Sequence, residues 1–352
     1  MSGVGLNECL SAAVAEQALN ECGVEDKYKL QVVSIIEATI PFKKPEFIKT
    51  RVARLADANR LLEDGNLSAE EQTETIKAAI AMANKDVSNF MGDSPDKDFS
   101  VEERVGILVR GSWRLAPEMT PILRGKEYTP THFTQEMQND YGFFNFVQPD
   151  ILYHAHEGYP PDAKLQKMHQ LARDTIKGAQ DYMAAKLVSA AFVEAVESAT
   201  RPDNQMQPFL SDFLKTFGKL PKKTPFNEGE REKAIRNLLE NRGEASVFDI
   251  PQSPIAAYMA DTIGVEQLSA LGKSVAGKLK LPPELATAST GEKQAFRESK
   301  YKEILTDIAK ALGKDATHNI AEAIGHGKSA EDRQRAANIK SLDSTLAGLF
   351  RA

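Results

Sequence analysis

A chain of 352 residues with 41% hydrophobic and 27% charged side chains has the apolar material for a sizeable core, which excludes a disordered polymer. Its formal net charge of −6 excludes a protein built to coat nucleic acid, because neutralising phosphates takes clustered Lys and Arg. Two cysteines, Cys9 and Cys22, exclude a disulfide framework and fit a reducing compartment. The opening MSGVGLNECL lacks a basic stretch and an apolar run, so no secretory leader is expected, and nowhere do about 18 apolar residues run together. The expected compartment is cytoplasmic, in the cell that makes the chain or in another cell into which it is delivered.

Leu6, Leu10, Val14 and Ala18 follow i, i+4 spacing and predict a first helix with these residues on its apolar stripe. Residues 28–40 (YKLQVVSIIEATI) are β-branched and apolar enough for a strand, but no partner strand lies nearby, so a buried helix is expected. The Pro-flanked basic turn PFKKPEF (41–47) leads into a helix carrying Phe47, Ile48, Val52, Leu55 and Leu62. Ser68 with Glu71 three residues on is a capping-box pattern. The helix it opens holds Ile76, Ile80, Met82 and Val87. After a polar loop from Gly92 to Asp98, Val101, Val105, Leu108 and Trp113 mark another helix, followed by the APEMTPIL turn and a loop at 124–132.

Residues 142–177 read as two helices around a proline turn. Phe143, Phe144, Phe146 and Val147 run into Pro149, which cannot donate a main-chain hydrogen bond and ends the first helix. Pro160 and Pro161 suit the start of the second, whose stripe is Leu165, Met168, Leu171, Ala172 and Ile176. The Ala-rich stretch 178–199 reads as a further amphipathic helix, and 206–223 as a short one stopped by Gly218 and Pro221. PKKTPFNEGE (221–230) marks a boundary, beyond which helices are expected near 230–241, 253–279, 292–312, 316–325 and 329–350. With no strand signals or repeats in the sequence, the fold class is all-α. The expected organisation is an N-terminal helical extension (1–27), a helical domain (28–223) and a C-terminal helical module (224–352).

Several motifs invite chemistry and fall short of it. Gly325-His326-Gly327-Lys328-Ser329 resembles a phosphate loop, but Glu322 stands where that pattern needs glycine, so a helix-ending glycine is expected. His154-Ala155-His156-Glu157 could chelate, yet no matching cluster completes a metal site. Cys9 reads as a buried structural thiol on an apolar face, and Trp113 as core. Asp96 and Asp98 lack the glycine and bidentate glutamate of a calcium loop. The turn Pro41-Phe42-Lys43-Lys44-Pro45 is different, because it presents two cations on a rigid tip suited to a partner's phosphate site.

The run Phe143-Phe144-Asn145-Phe146-Val147-Gln148-Pro149-Asp150-Ile151-Leu152 resembles the signature of the Ras GTPase-activating domain family, Ras-GAP. In that signature an aromatic residue, Leu and Arg lead into an apolar pair and then Pro. Lys164, Leu171-Ala172-Arg173 and Ile176-Lys177 look like the helix that follows it. Trp113 to Met119 upstream and Met206 to Leu210 downstream resemble flanking stretches, so the likeness covers about residues 28–223. The resemblance implies a Ras-GAP-like helical domain engaging a small GTPase of the Ras superfamily along a groove between the helices at 41–62 and 142–180. GTP and Mg²⁺ would come with the partner, and no cofactor of this chain's own is implied.

It further implies that Lys43 stands at the finger position, with Lys44, Asn145, Pro149, Lys164, Arg173 and Lys177 contacting the GTPase. Two departures matter. Lysine replaces the finger arginine, a contribution on the order of 10³–10⁵ in rate, and supplies a point charge without the planar fork. Asn145 replaces the signature arginine that steadies the finger loop. Arg51 and Arg54 are substitutes only if the register shifts. Weak or absent GTPase activation is therefore expected. The competing expectation is a helical scaffold or secreted effector without a GTPase partner, and an enzyme using Cys9 or the His-Ala-His turn is a distant third.

Overall fold

The computed structural model describes residues 6–38, 67–115, 130–149, 152–200, 220, 229–240 and 253–325. Eleven α-helices account for most of them, and no strand occurs among the described residues. The expected helices at 45–62, 206–223 and 329–350 lie outside them, as do the turn at 41–47 and the glycine-lysine-serine stretch after Gly325. The chain divides into two compact units, Met1–Phe99 with Val147–Ile176, and Ser100–Phe146 with Lys177–Ala352.

In the first unit, α1 (Leu6–Glu21) ends where Gly23 adopts φ +68°, a left-handed conformation that costs glycine nothing. Its N–H and that of Val24 bond back to Asn20 and Leu19, which closes the helix and turns the chain into α2 (Asp26–Ala38). The helix is the expected one, but its inward face is not. Leu10 and Val14 are 56% and 68% exposed, whereas Ala12 is 2% exposed. The inward side carries buried Ala12 with half-buried Ala15 and Leu19, and α2 packs against this helix. Cys9 shares the outward side and is exposed, so the expected buried thiol is corrected. In α2 Ser34 is buried, while Tyr28 remains exposed.

Helix α3 (Ala69–Asp86) opens with the expected capping box. Ser68 Oγ accepts from the Glu71 N–H at 3.2 Å, and Glu71 Oε2 accepts from the Ser68 N–H at 2.9 Å. Ile76 and Ile80 pack with Leu67, Leu30 and Tyr159. The next inward position is Asn84, and Met82 points outward. A 3₁₀ turn (Ser88–Met91) follows. Residues 152–160 form a tight turn in which His156 and Tyr159 exchange two main-chain bonds across Glu157 (φ 47°) and Gly158 (φ 78°). Asn84 holds this turn through both polar groups. Its Nδ2 donates to the His154 carbonyl at 3.0 Å, and its Oδ1 accepts the His154 N–H at 2.7 Å.

Pro161 sits just ahead of α6 (Asp162–Thr200), and its carbonyl accepts from Lys164 and Leu165, the bonds that start the helix. Met168, Ala172 and Ile176 are buried, as their spacing predicts. The expected separate helix at 178–199 is the continuation of α6.

In the second unit the α6 continuation is buried on every side rather than amphipathic. From Asp181 to Val196 its residues, Ser189 apart, are buried, including Asp181, Lys186 and Glu194. A helix apolar all round belongs in the middle of a bundle. The unit's other helices are α4 (Val101–Leu115), α5 (Pro130–Phe146), α7 (Glu230–Glu240), α8 (Pro254–Ile263), α9 (Val265–Leu279), α10 (Thr290–Leu312) and α11 (Lys314–Gly325), of which α4, α5, α7 and α9 each meet α6 through Val105, Phe144, Ile235 and Ser269. Glycines set the close approaches: a Cβ at Gly178 would lie 2.4 Å from Val105 Cγ2, and one at Gly272 2.5 Å from Ala184 Cβ. The single helix expected at 253–279 is two, because Gly264 (φ +81°) ends α8. Ser100 and Glu103, and Ser289 and Glu292, form reciprocal caps like that of α3.

Candidate functional site

Of the residues implied by the family resemblance, Lys43, Lys44, Arg51 and Arg54 lie outside the described residues. Asn145 occupies the last turn of α5. It is exposed, and its Nδ2 donates to the Tyr141 carbonyl of its own helix at 2.6 Å. Burial pushes the Tyr141 phenol up, opposed by the Asn145 amide and reinforced by the Asp181 charge. Phe144 is buried, and its carbonyl, one of those left without an intrahelical partner at a helix end, accepts from Gln180 Nε2 at 2.9 Å.

Pro149 is buried, as a residue that ends an apolar helix tail should be, and its carbonyl accepts from the Leu152 N–H at 3.1 Å. Lys164, in the first turn of α6, is ion-paired with Asp96 at 3.0 Å and tethers the loop after the 3₁₀ turn. Arg173 is exposed on α6 and bonds to Gln170 at 3.2 Å. Lys177, one turn later, pairs with Asp181 at 2.6 Å. Arg173 and Lys177 share one face of the helix. Lys164, nine residues before Arg173, lies about 180° round it. The helix therefore brings Arg173 and Lys177 together and leaves Lys164 on another side.

Two buried carboxylates on α6 have no counterpart among the residues that the sequence singled out. Asp181 is 2% exposed. Its Oδ1 accepts from Lys177 Nζ and from Ser269 Oγ, each at 2.6 Å, and its Oδ2 lies 3.3 Å from Arg231 Nε. One buried anion thus holds two half-exposed cations and ties α6 to α7 and α9. Glu194 is fully buried beside Arg297 and Tyr301 of α10. The sequence signal for both was an acidic residue inside an Ala-rich apolar run, and for Asp181 also a lysine at i−4.

The described residues contain no group of three or more His, Cys, Asp or Glu placed to hold a metal ion. Near the His-Ala-His turn, His156 lies 3.6 Å from Glu157, and both main-chain groups of His154 bond to Asn84. No helix among the described residues is long and apolar enough to cross a membrane.

No family model, curated protein or solved structure matches this chain. Its own residues carry the reading that follows.

Proposed function

We propose that this chain binds a small GTPase of the Ras superfamily in the GTP state, in the manner of a Ras-type GTPase-activating protein with weakened catalysis. The observation that carries the reading is the cation pair Arg173 and Lys177. They stand one turn apart on a face of α6, downstream of the Phe143–Pro149 signature. Two cations at this spacing suit an acidic or phosphate-bearing surface that presents paired acceptors.

Lys43 approaches the γ-phosphate of the GTP that the partner carries with its Mg²⁺. A lysine there neutralises charge as a point, without the two-pronged donation that makes an arginine finger effective. Asn145 directs one amide N–H to its own helix at Tyr141 and carries no charge to offer a finger loop. The chain contributes recognition and a residual electrostatic effect, and the reaction's nucleophile and metal belong to the partner.

The test is GTP-state binding and single-turnover GTP hydrolysis across a panel of small GTPases. Nucleotide-dependent binding with little acceleration supports the reading, and no binding to any member overturns it. Replacing Lys43 and Asn145 together by Arg should then raise the hydrolysis rate, and an unchanged rate removes Lys43 from the finger position. A second reading, a helical scaffold with no GTPase partner, is favoured by the exposed apolar side chains of α1, Leu10 and Val14.

A further inference from the structure

Helix α1 is apolar on two opposite sides, and α2 packs against the side that carries Ala12. On the other side Leu10, Ala13, Val14 and Ala18 are exposed. Their spacing of three and four lines them up on one stripe about 12 Å long. Leu10 and Val14 are the most exposed large apolar side chains among the described residues. A helix apolar all round is normally enclosed, and the folded chain leaves this side of α1 open. One polar residue, Gln17, lies within the stripe, and its amide donates to Glu21 at 3.1 Å.

Charge states what suits this face. Residues 1–26 carry five carboxylates (Glu8, Glu16, Glu21, Glu25 and Asp26) and no Lys, Arg or His. Glu16 flanks the stripe, Glu21 continues it, and Glu25 follows in the turn, all three exposed. The nearest cations serve other groups: Lys27 pairs with Glu71 at 3.5 Å, and Lys29 with Asp26 at 2.5 Å and Asn20 at 2.6 Å. No cation among the described residues pairs with Glu16, Glu21 or Glu25. Glu21 also closes α1 at the end where the helix carbonyls already gather negative charge, and the last turn holds no basic residue to offset it. A lipid surface with anionic headgroups is repelled by such a face. A two-fold contact with a second copy sets the patch against itself, so carboxylates meet carboxylates. An apolar stripe edged with cations satisfies both features.

We propose that the outward face of α1 docks a basic amphipathic helix of a partner protein. The partner's apolar side lies on Leu10 and Val14, and its Lys or Arg side chains meet Glu16, Glu21 and Glu25. Ala13 and Ala18 leave room for the two helices to approach closely. None of the residues assigned to the GTPase belongs to α1, so either reading can fail without the other.

The probe is a fluorescent amphipathic peptide of about 18 residues, leucine on one face and lysine on the other. Its anisotropy is read against the full-length protein. The double variant Leu10→Gln, Val14→Gln keeps good helix formers and removes both exposed apolar side chains. It should bind the probe about tenfold more weakly, since both side chains have surface left to bury. Replacing Glu16, Glu21 and Glu25 together by Gln should weaken binding at low salt and flatten its salt dependence. That triple variant leaves the apolar stripe intact and carries the test should the double variant lose its helix. A peptide of the same composition with leucine scattered round the helix should bind more weakly than the probe. Absence of probe binding, or binding that neither variant weakens, overturns the proposal. Binding to phosphatidylserine vesicles, or self-association, that the double variant abolishes gives the face to a lipid surface or a second copy and also overturns it. So does a lowered urea midpoint in the double variant, which gives the face to the chain's own basic stretch at 43–60.

Discussion

Replacing Gly272 by alanine tests the packing of α9 against the central helix, because two effects of opposite sign compete there. Alanine is favoured over glycine in a helix interior by about 1 kcal/mol. Against that gain, a Cβ at position 272 would lie 2.5 Å from Ala184 Cβ and 2.8 Å from Ala184 Cα. Ordinary carbon contacts are about 3.5–4.0 Å, so the two helices would have to part by roughly 1 Å. The atoms met are main chain and a methyl, so no rotamer relieves the contact. Overpacking typically costs about 1–3 kcal/mol, and with the upper end appropriate to an immovable neighbour the net loss is about 2 kcal/mol. Gly277, on the same helix, supplies the control: it is exposed, and a Cβ there would meet nothing within 4 Å. Gly277→Ala should gain about 0.5 kcal/mol. Urea unfolding followed by circular dichroism reads both. If Gly272→Ala stabilises as Gly277→Ala does, the close approach of α6 and α9 is wrong.

Asn84→Ala removes two hydrogen bonds to the main chain of His154 and should cost about 2–3 kcal/mol in urea unfolding. Asn84→Asp keeps the acceptor but sets a buried carboxylate oxygen against the His154 carbonyl, so it should cost at least as much. Asp93 bonds Lys85 at 2.6 Å and also Lys97, and these hold its carboxyl down at about 2 against an ordinary 3.8. A carboxyl depressed on folding adds stability that is present above pH 3.8 and lost as the pH falls toward 2. Asp93→Asn should therefore lower the urea midpoint at pH 5 and converge on the wild type near pH 2. Lys177→Ala strips one cation from the buried Asp181 and should cost about 1 kcal/mol, discounted because the lysine is 48% exposed. Arg173 is exposed, and pairing the GTPase-binding assay of Arg173→Ala with its urea midpoint separates a loss of recognition from a loss of stability.

Helices with a strong local signal were legible in the sequence. Ser68 and Glu71 marked the start of α3, and Ser100-x-x-Glu103 and Ser289-x-x-Glu292 carry the same pattern at two further starts. Pro149 and Pro161 bracketed the turn between α5 and α6. Periodicity failed where it had to decide which side of a helix turns inward. In α1 the larger apolar residues, Leu10 and Val14, face out, while Ala12 is buried, because close packing against α2 favours the smaller side chain. Near Gly264 the failure was of another kind. Residues 253–279 keep an apolar pattern throughout, and only the left-handed backbone at the glycine shows that they form two helices.

The continuation of α6 explains why its charges escaped notice. An Ala-rich stretch with Lys186, Glu194 and Asp181 reads as amphipathic, since charged residues are assigned to a solvated face by default. That default fails when a helix is enclosed, and enclosure depends on the number of neighbours, which no local window contains. Once enclosed, each charge needs partners from helices distant in sequence: Ser269 and Arg231 for Asp181, Arg297 and Tyr301 for Glu194. The same consideration separates the two cations proposed to meet a partner. Lys177 serves the buried Asp181 and would be required by the fold with or without a ligand. Arg173 is exposed and bonds to Gln170 within its own helix. A binding defect in Lys177→Ala must therefore be read against that variant's own loss of stability.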